Sequence, residues 1–338
     1  MLKKNNILLV GGCGFIGHNL ALYLKSIGKN PIIVDSLSIN NLNSPDAKNS
    51  TKENNNELYN SILNNRINLI KKNNIKLILA DTRFNEKIHR IYAEEKPDVI
   101  VHLAAVSHAN KSNIDPHTTF DNSLRTLENS LDYAKFNKTH LIYLSSSMTY
   151  GNFNGKKVDE KTICDPIGIY GTLKYCGELM VKSYSHIFEI PYTIIRPSAL
   201  YGERCVSRRV TQVFIENAIT DKVLNITGSG EEKLDFTYIE DLAMGISLCI
   251  DNENSKNEIF NLTYGNARKI SELIDIIKDY FPKVLLKNLP RDKFMPERGT
   301  LDISKAKDIL GYKPSNPIEK GYKKNIEWYI NYCESIKS

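Results

Sequence analysis

The sequence lacks the features that mark several classes of protein. Its six cysteines contain no Cys-x-x-Cys pair, and 338 residues provide enough core to fold without disulfides, so we expect reduced thiols. The chain has no apolar run near the roughly 20 residues of a membrane span, and no signal-peptide pattern at its N-terminus. Its seven histidines show no metal-ligand spacing. These absences favour a cytoplasmic protein with no metal site and no membrane partner.

Composition and charge exclude further classes. Hydrophobic residues make up 41% of the chain and charged residues 25%, which excludes collagen-like, coiled-coil and wholly disordered proteins. The net charge of +6 is spread along the chain rather than gathered in a tail, so nucleic acid is not an expected partner. A modest positive charge suits a small substrate that carries phosphate.

Short apolar runs alternate with segments of helical period from the first residues onward. This alternation predicts an α/β fold, in which a Rossmann-type, doubly wound parallel sheet is covered on both faces and accompanied by a smaller C-terminal α/β domain. The expected strands are residues 7–10, 32–35, 75–80, 98–103, 140–145, 192–196 and 259–262.

We expect two domains and one insertion. Residues 1–196 and 235–262 form the sheet domain, and residues 197–234 and 263–338 form the smaller domain. The stretch 40–74 is longer than a connection between strands needs. Apolar side chains between Tyr59 and Ile70 recur on one helical face, which predicts a loop of low order followed by a helix. We interpret this stretch as a solvated insertion, with a lid over a substrate or dimer partner as the alternative.

A glycine-rich turn follows the first expected strand. Gly11 allows a tight turn, Gly14 lets a pyrophosphate approach the backbone, and Gly17 lets the helix that begins near Phe15 pack closely. The second strand ends at Asp35, where a carboxylate can accept hydrogen bonds from a ribose diol. The motif predicts dinucleotide binding, and NAD rather than NADP, because Asp35 would repel a 2′-phosphate.

Tyr170 and Lys174 stand four residues apart and therefore share one face of a helix. We expect the ammonium to stabilise the phenolate, lowering a pKa that is ordinarily about 10 and making a general base. Tyr92 and Lys96 have the same spacing. Their helix leads into the strand at 98–103, so they lie at the edge of the sheet away from ligands and are interpreted as structural.

A serine cluster follows the strand at 140–145, on the side expected for the cofactor. Ser146 and Ser147 can present a hydroxyl to the same substrate oxygen as Tyr170. Serines that cap a turn are the alternative reading of this cluster.

The motifs occur together in an order that resembles the extended short-chain dehydrogenase/reductases, specifically the NAD-dependent nucleotide-sugar epimerases and dehydratases such as UDP-glucose 4-epimerase. The likeness covers nearly the whole chain. It rests on the glycine motif, Asp35, Ala80-Asp81-Thr82, His102-Leu-Ala-Ala105, Leu144-Ser-Ser-Ser147, Tyr150-Gly151, Tyr170-xxx-Lys174, Ile195-Arg-Pro197, Leu200-Tyr-Gly202, Asp235-Phe-Thr-Tyr238 and Asp302-Ile-Ser-Lys-Ala306.

The resemblance implies roles for particular residues. Ser146, Tyr170 and Lys174 are the expected catalytic residues, with Ser147 in reserve. The expected NAD-binding residues are Gly11, Gly14, Phe15, Ile16, Gly17, Asp35, Asp81, Thr82, Leu103, Ala104, Ala105, Tyr170, Lys174 and Pro197. The helices near 116–136 and 168–188 resemble the pair that forms a homodimer interface in this family.

The sequence departs from the family pattern at three places. Ser147-Met148 stands where dehydratases have Asp-Glu, which disfavours elimination of water. Ala199 replaces an asparagine that binds substrate, and Leu234 replaces an arginine, so the contacts to the substrate diphosphate must differ. The cationic side chains available instead are Arg204, Arg208, Arg209, Lys233, Arg291 and Arg298. Of these we expect Arg204, Arg208, Lys233 and Arg298 to bind substrate together with Ser147.

The sequence is therefore interpreted as that of an NAD-dependent nucleotide-sugar epimerase, with C4 as the first choice of carbon. Its substrate is a nucleoside diphosphate sugar, which passes through a transient keto-sugar. An NAD-dependent oxidoreductase or dehydratase acting on a related sugar is the alternative. A non-catalytic NAD-binding scaffold is the remote alternative.

Overall fold

The computed structural model describes residues 4–44, 56–106, 109–291 and 295–336, and a parallel sheet of seven strands lies at its centre. The strands, in chain order, are β1 (Asn6–Val10), β2 (Asn30–Asp35), β3 (Lys76–Leu79), β4 (Val99–His102), β5 (His140–Leu144), β6 (Tyr192–Arg196), β7 (Leu200–Tyr201), β8 (Leu224–Thr227), β9 (Lys233–Leu234), β10 (Thr237–Tyr238), β11 (Glu258–Asn261), β12 (Arg268–Lys269) and β13 (Leu286–Leu289).

Helices connect these strands. They are α1 (Phe15–Ser26), α2 (Asn56–Lys72), α3 (Asn85–Glu95), α4 (Ala109–Ile114), α5 (Pro116–Phe120), α6 (Thr126–Asn137), α7 (Gly168–Phe188), α8 (Val210–Ile219), α9 (Ile239–Asp251), α10 (Ile270–Tyr280), α11 (Ser304–Leu310) and α12 (Ile318–Ser335). A π-helical turn (Asp121–Arg125) joins α5 to α6, and short 3₁₀ turns cover Ser147–Tyr150 and Glu253–Ser255. No helix among the described residues is both long enough and apolar enough to cross a membrane.

The central sheet has the order β11-β6-β5-β4-β1-β2-β3, with every neighbouring pair parallel. The expected fold class is thus confirmed. The strand order reverses between β1 and β4, where Val10 pairs with His102. In open α/β sheets, ligands bind beyond the carboxyl ends of the strands at this reversal.

The expected elements match the observed ones closely. The strand at 192–196 and the helix at 168–188 have the expected bounds, and the other large-sheet strands differ by no more than two residues at either end. The helix expected at 116–136 is observed, but the π-helical turn interrupts it.

Both faces of the sheet are covered by helices. In β1, Ile7 and Leu9 pack on one face with residues of α1 and α9, while Leu8 and Val10 pack on the other with residues of α3, α6 and α7. All four side chains are fully buried. This explains why the strand is an unbroken apolar run rather than an alternating one.

A separate apolar cluster holds together the C-terminal part of the chain. It includes Tyr201, Phe214, Leu273, Tyr322 and Tyr329 from β7, α8, α10 and α12. The chain also returns to the large sheet through α9 and β11, since β11 pairs with β6, as the sequence led us to expect.

The helix expected within the 40–74 insertion is observed as α2, but it is not solvated. Ile62 and Leu63 pack into the C-terminal cluster, while Ile67 and Ile70 pack against the sheet. The helix α2 therefore packs against both apolar clusters. Our interpretation of residues 40–74 as a solvated insertion is wrong for this helix. The preceding loop, at 45–55, lies outside the described residues.

Candidate active site

Two adjoining cavities lie at the carboxyl edge of the sheet. The larger has a volume of about 1060 Å³ and extends from the end of β5 to the C-terminal part of the chain. The smaller, of about 110 Å³, lies against the glycine turn and the end of β2. The residues common to both walls are Ile16, Leu103, Ala105, Ser207 and Arg209. A long ligand can therefore occupy both cavities.

The absence of side chains on the glycine turn leaves room for a phosphate group. Two of these glycines also lie so close to other backbone atoms that a Cβ would collide with them. Gly11 has a φ of +79°, and a Cβ there would lie 2.7 Å from the amide nitrogen of Ala104. A Cβ on Gly17 would lie 2.5 Å from the Cα of Gly12, so only glycine allows α1 to start this close to the turn. The first helical residue is Phe15, and the free N–H groups of this helix N-terminus favour an anion.

Asp35 closes the smaller cavity at the end of β2. Its carboxylate accepts hydrogen bonds from the main-chain N–H groups of Cys13 (2.9 Å) and Leu37 (2.7 Å). Burial raises the pKa of this carboxyl, while those two N–H groups and the nearby Arg66 lower it. The two bonds hold the carboxylate at the position where a ribose diol would meet it.

Every residue expected to bind the cofactor lines one of the two cavities. Gly11, Gly14, Phe15, Ile16, Gly17, Asp35, Asp81, Thr82, Leu103, Ala104 and Ala105 line the smaller one. Tyr170, Lys174 and Pro197 line the larger one. These residues fit a dinucleotide laid across the ends of β1 and β4.

The three expected catalytic residues meet in the larger cavity. Ser146 follows β5, and its hydroxyl caps the 3₁₀ turn by accepting a hydrogen bond from the N–H of Met148 (3.1 Å). Tyr170 lies in the first turn of α7, and Ser146 is near enough to its phenol to lower the pKa of that group. One turn later, Lys174 donates from Nζ to the carbonyl of Leu144 at 2.6 Å.

The pKa of Tyr170 does not shift in the expected direction. Burial raises it, and the effect is partly offset by the charge of Arg209, the hydrogen bond to Ser146 and the charge of Arg298. Lys174 is not among the groups that lower it. Its amine binds a strand carbonyl instead, and burial lowers its own pKa to about 8. The expected role of Lys174 in stabilising the phenolate therefore stays a prediction.

Arg298 reaches the catalytic end of the larger cavity. Its Nη2 donates to the hydroxyls of Ser147 (2.6 Å) and Ser198 (2.8 Å). Burial lowers the pKa of this guanidinium to about 10, and the charge of Arg209 lowers it further. The Nε atoms of both arginines are buried and have no hydrogen-bond partner among the described residues.

Of the other expected substrate residues, two lie in the cavity and one does not. Arg208 and Lys233 line the larger cavity and are exposed. Arg204 lines neither cavity. Its guanidinium lies 3.2 Å from the Nε2 of His18 and 3.3 Å from the Oδ1 of Asn19, both on α1. The structure therefore does not support a contact between Arg204 and substrate.

Ala199 also lines the larger cavity, and its backbone has a positive φ of 36°. Asparagine adopts this left-handed conformation more readily than alanine does. The family's asparagine would therefore suit the backbone here, and its replacement removes a polar side chain from the cavity wall.

Several residues of the cavities were missed or undervalued in the sequence. Arg209 lines both cavities and was considered only as one of six available cations. Ser198 binds Arg298, and its position directly after Pro197 was a usable signal. Asn122 and Thr126 line the smaller cavity from the π-helical turn and the start of α6, and no sequence pattern indicated them.

The fold and these cavities define the class of the protein: a Rossmann-type α/β protein with a dinucleotide cleft that ends at a serine, a tyrosine and a lysine. The sequence model of the NAD dependent epimerase/dehydratase family matches residues 7–263. The chain belongs to this family, which is part of the extended short-chain dehydrogenase/reductases, and its cofactor is NAD.

Individual relatives extend over nearly the whole chain. It is 30% identical to a putative UDP-glucose 4-epimerase of Methanocaldococcus jannaschii, over 96% of this chain and 98% of the relative. It is 26% identical to a UDP-glucuronate 4-epimerase of Thermodesulfobacterium geofontis, with 98% of both chains covered. The crystal structure of UDP-glucuronic acid 4-epimerase from Bacillus cereus, in complex with UDP-glucuronic acid and NAD, superposes with a TM-score of 0.86. It is 25% identical, and 96% of this chain and 99% of that one are covered. These similarities support an enzyme of the epimerase type.

Proposed function

We propose that the protein is an NAD-dependent epimerase that inverts C4 of a nucleoside diphosphate sugar. One observation carries the proposal: Ser146, Tyr170 and Lys174 line one cavity of about 1060 Å³, with arginines in its wall, where it adjoins the dinucleotide cleft. The serine and tyrosine hydroxyls can meet one sugar hydroxyl, and the arginines can bind a diphosphate.

The chain's own residues move and hold the proton. Tyr170 removes the proton of the sugar hydroxyl, and Ser146 shares the hydrogen bond through which it passes. Bound NAD supplies hydride acceptance and hydride return at the sugar carbon. Arg209 and Arg298 place positive charge near the tyrosine, which favours its ionised form.

The shape and composition of the cavity favour epimerisation over the alternatives. Its volume is at the upper end of the range for ligand pockets, which leaves room for a keto-sugar to turn its other face. The residues that follow Ser146 are Ser147 and Met148, and both contact Arg298 rather than supplying a carboxylate. Acid-assisted loss of water thus lacks the groups that it needs.

We propose that Arg208, Lys233 and Arg298, joined by Arg209, bind the diphosphate, with Ser147 at the sugar. The position of these residues in the wall of the larger cavity supports this assignment. UDP is the first nucleotide to test, because the relatives described above act on UDP-sugars by name.

We also propose a division into two domains, in which residues 1–196 and 235–262 form one domain and residues 197–234 and 263–338 form the other.

We further propose that the protein is a homodimer in the cytoplasm. Exposed apolar side chains on the paired helices support the dimer: Phe120 and Phe136 near α6, and Leu179 and Ile187 on α7, are 45–73% exposed. Light scattering should give twice the chain mass, and Leu179→Glu with Ile187→Glu should give one chain mass. A monomeric unchanged protein would refute the dimer.

A panel experiment tests the function. Purified protein with NAD is incubated with UDP-, dTDP-, GDP- and CDP-sugars, and products are followed by NMR together with ultraviolet absorbance of reduced nicotinamide. An epimer with no net NADH supports the proposal. Accumulation of NADH indicates the oxidoreductase, loss of water indicates the dehydratase, and NAD binding without turnover of any sugar indicates the scaffold.

A further inference from the structure

A buried ion pair that the proposed reaction does not use lies beneath the catalytic residues. Glu178 follows Lys174 by one helical turn on α7, and its side chain is fully buried. Its carboxylate accepts hydrogen bonds from Nε (2.9 Å) and Nη2 (2.6 Å) of Arg196 and from the hydroxyl of Ser145 (2.5 Å). The Arg196 side chain is 2% exposed. Such a site is costly to build, because both charges lose their water.

The three partners belong to three different elements next to the cavity. Ser145 directly precedes the catalytic serine at the end of β5, and Arg196 directly precedes the proline of the cavity wall at the end of β6. Glu178 is on the helix that carries the catalytic tyrosine and lysine. One carboxylate therefore joins the three elements whose relative positions determine the geometry of the site.

The carboxylate also acts on Lys174 electrostatically. Burial lowers the pKa of the Lys174 amine, and the Glu178 carboxylate raises it. The carboxylate therefore opposes the loss of the proton from Lys174. The titratable groups Tyr143 and His102 beside the amine carry no negative charge. Tyr143 of β5 presents its ring at 5.1 Å, and burial raises its pKa so that it stays neutral. His102 of β4 is neutral as well, because burial lowers its pKa to about 3.

We propose that Glu178, held by Arg196 and Ser145, is a positioning residue that keeps Lys174 protonated and in place next to Tyr170. The inference rests on the proposed function, since a charged Lys174 matters only where that lysine takes part in the reaction. A purely structural ion pair would change the stability of the fold without changing the pH at which the amine titrates.

The test follows the amine itself rather than turnover. The chain is labelled with ¹³C at the lysine ε carbons, and the signal of Lys174 is assigned by its absence in Lys174→Met. The pH titration is recorded by NMR with and without NAD. Glu178→Gln keeps the size of the side chain and removes its charge. We expect the pKa of Lys174 to fall by about one unit or more, and the alkaline limb of kcat/KM to move to lower pH by the same amount.

Glu160→Gln is the matched control. Glu160 is a partly buried carboxylate that accepts a hydrogen bond from the main-chain N–H of Asn261 at 2.7 Å, and burial raises its pKa. It is not among the groups that shift the pKa of Lys174. This substitution should leave the titration of Lys174 unchanged.

A second variant covers the case in which Glu178→Gln leaves Arg196 unpaired and the chain fails to fold. In Glu178→Gln/Arg196→Gln both charges are removed together, and a neutral pair is tolerated better than one buried charge. The amine pKa should fall by less than in Glu178→Gln, because loss of the positive charge of Arg196 acts in the opposite direction. If Lys174 titrates as in the unchanged protein in whichever variant folds, the inference is overturned. A lowered pKa in a protein that turns over no sugar would instead overturn the proposed function and leave the inference standing.

Discussion

The molecule contains the pattern Tyr-xxx-Lys twice, in two regions that differ in almost every physical respect. Tyr92 lies on α3, is fully buried, and bonds through its hydroxyl to the Oγ of Ser130 at 2.8 Å. Neither Tyr92 nor Lys96 lines a cavity. Tyr170 and Lys174 both line the larger cavity.

The difference shows that spacing alone does not make a catalytic pair. Lys96 follows the last residue of α3 with a φ of 43°, so it leaves the helix and the face that holds Tyr92. That helix ends at the amino edge of the sheet, as expected, because β4 starts four residues later. Tyr170 instead lies in the first turn of α7, a helix of 21 residues at the carboxyl edge of the sheet. The walls of the larger cavity meet at this edge.

The largest effect should come from removing the phenol hydroxyl of Tyr170, and removal of the Tyr92 hydroxyl is the control. Tyr170→Phe should lower kcat by about 10²–10⁴-fold, the usual contribution of a positioned general base, while NAD stays bound. Tyr92→Phe should leave kcat unchanged. Steady-state kinetics measure kcat, and a fluorescence titration of the protein with NAD measures cofactor binding. If Tyr170→Phe kept the kcat of the unchanged protein, the two tyrosine–lysine pairs would no longer differ in function.

The two lysines give the next effect. Lys174→Met removes a charged donor in the cofactor cleft and should weaken NAD binding by about 10–100-fold, as the loss of a charged hydrogen bond does. Lys96→Met should bind NAD as the unchanged protein does. Isothermal titration calorimetry compares the two dissociation constants, and equal weakening in both would contradict the assignment.

Two arginines extend the comparison to the substrate. Arg298→Gln should raise KM for the sugar substrate by about tenfold, because it removes a charged donor that reaches Ser147 and Ser198. Arg204→Gln is the control, since that side chain lies against α1 and outside both cavities. A larger rise in KM for Arg204→Gln than for Arg298→Gln would show that Arg204, rather than Arg298, contributes to substrate binding.

The smallest effect concerns the stability that Tyr92 provides. Tyr92→Phe removes one buried hydrogen bond, worth about 1 kcal/mol in the free energy of unfolding. The cost stays low because the Ser130 hydroxyl keeps a second neighbour, the Nδ1 of His102 at 3.0 Å. Urea unfolding measures the change. No loss of stability would show that the phenol hydroxyl at this edge contributes nothing to the fold.

The cofactor half of the site could be read from the sequence far better than the substrate half. The glycine turn, Asp35 and the residues after β3 and β4 are each tied to the end of a recognisable strand. The arginines come from irregular loops of the C-terminal part, which have no periodicity. Arg204 and Arg208 stand four residues apart, yet only Arg208 lines the larger cavity.

The alternation of strands and helices, the glycine turn and the candidate tyrosine and lysine can all be predicted from the sequence, because each depends on neighbours within a few residues. Only the tertiary structure decided which charged groups meet. Arg298 contacts Ser147 across 151 residues of chain, and Arg196 contacts Glu178 across 18. It also decided that burial, rather than Lys174, dominates the pKa of Tyr170. Exclusion of water depends on the packing of distant segments, and no local pattern encodes it.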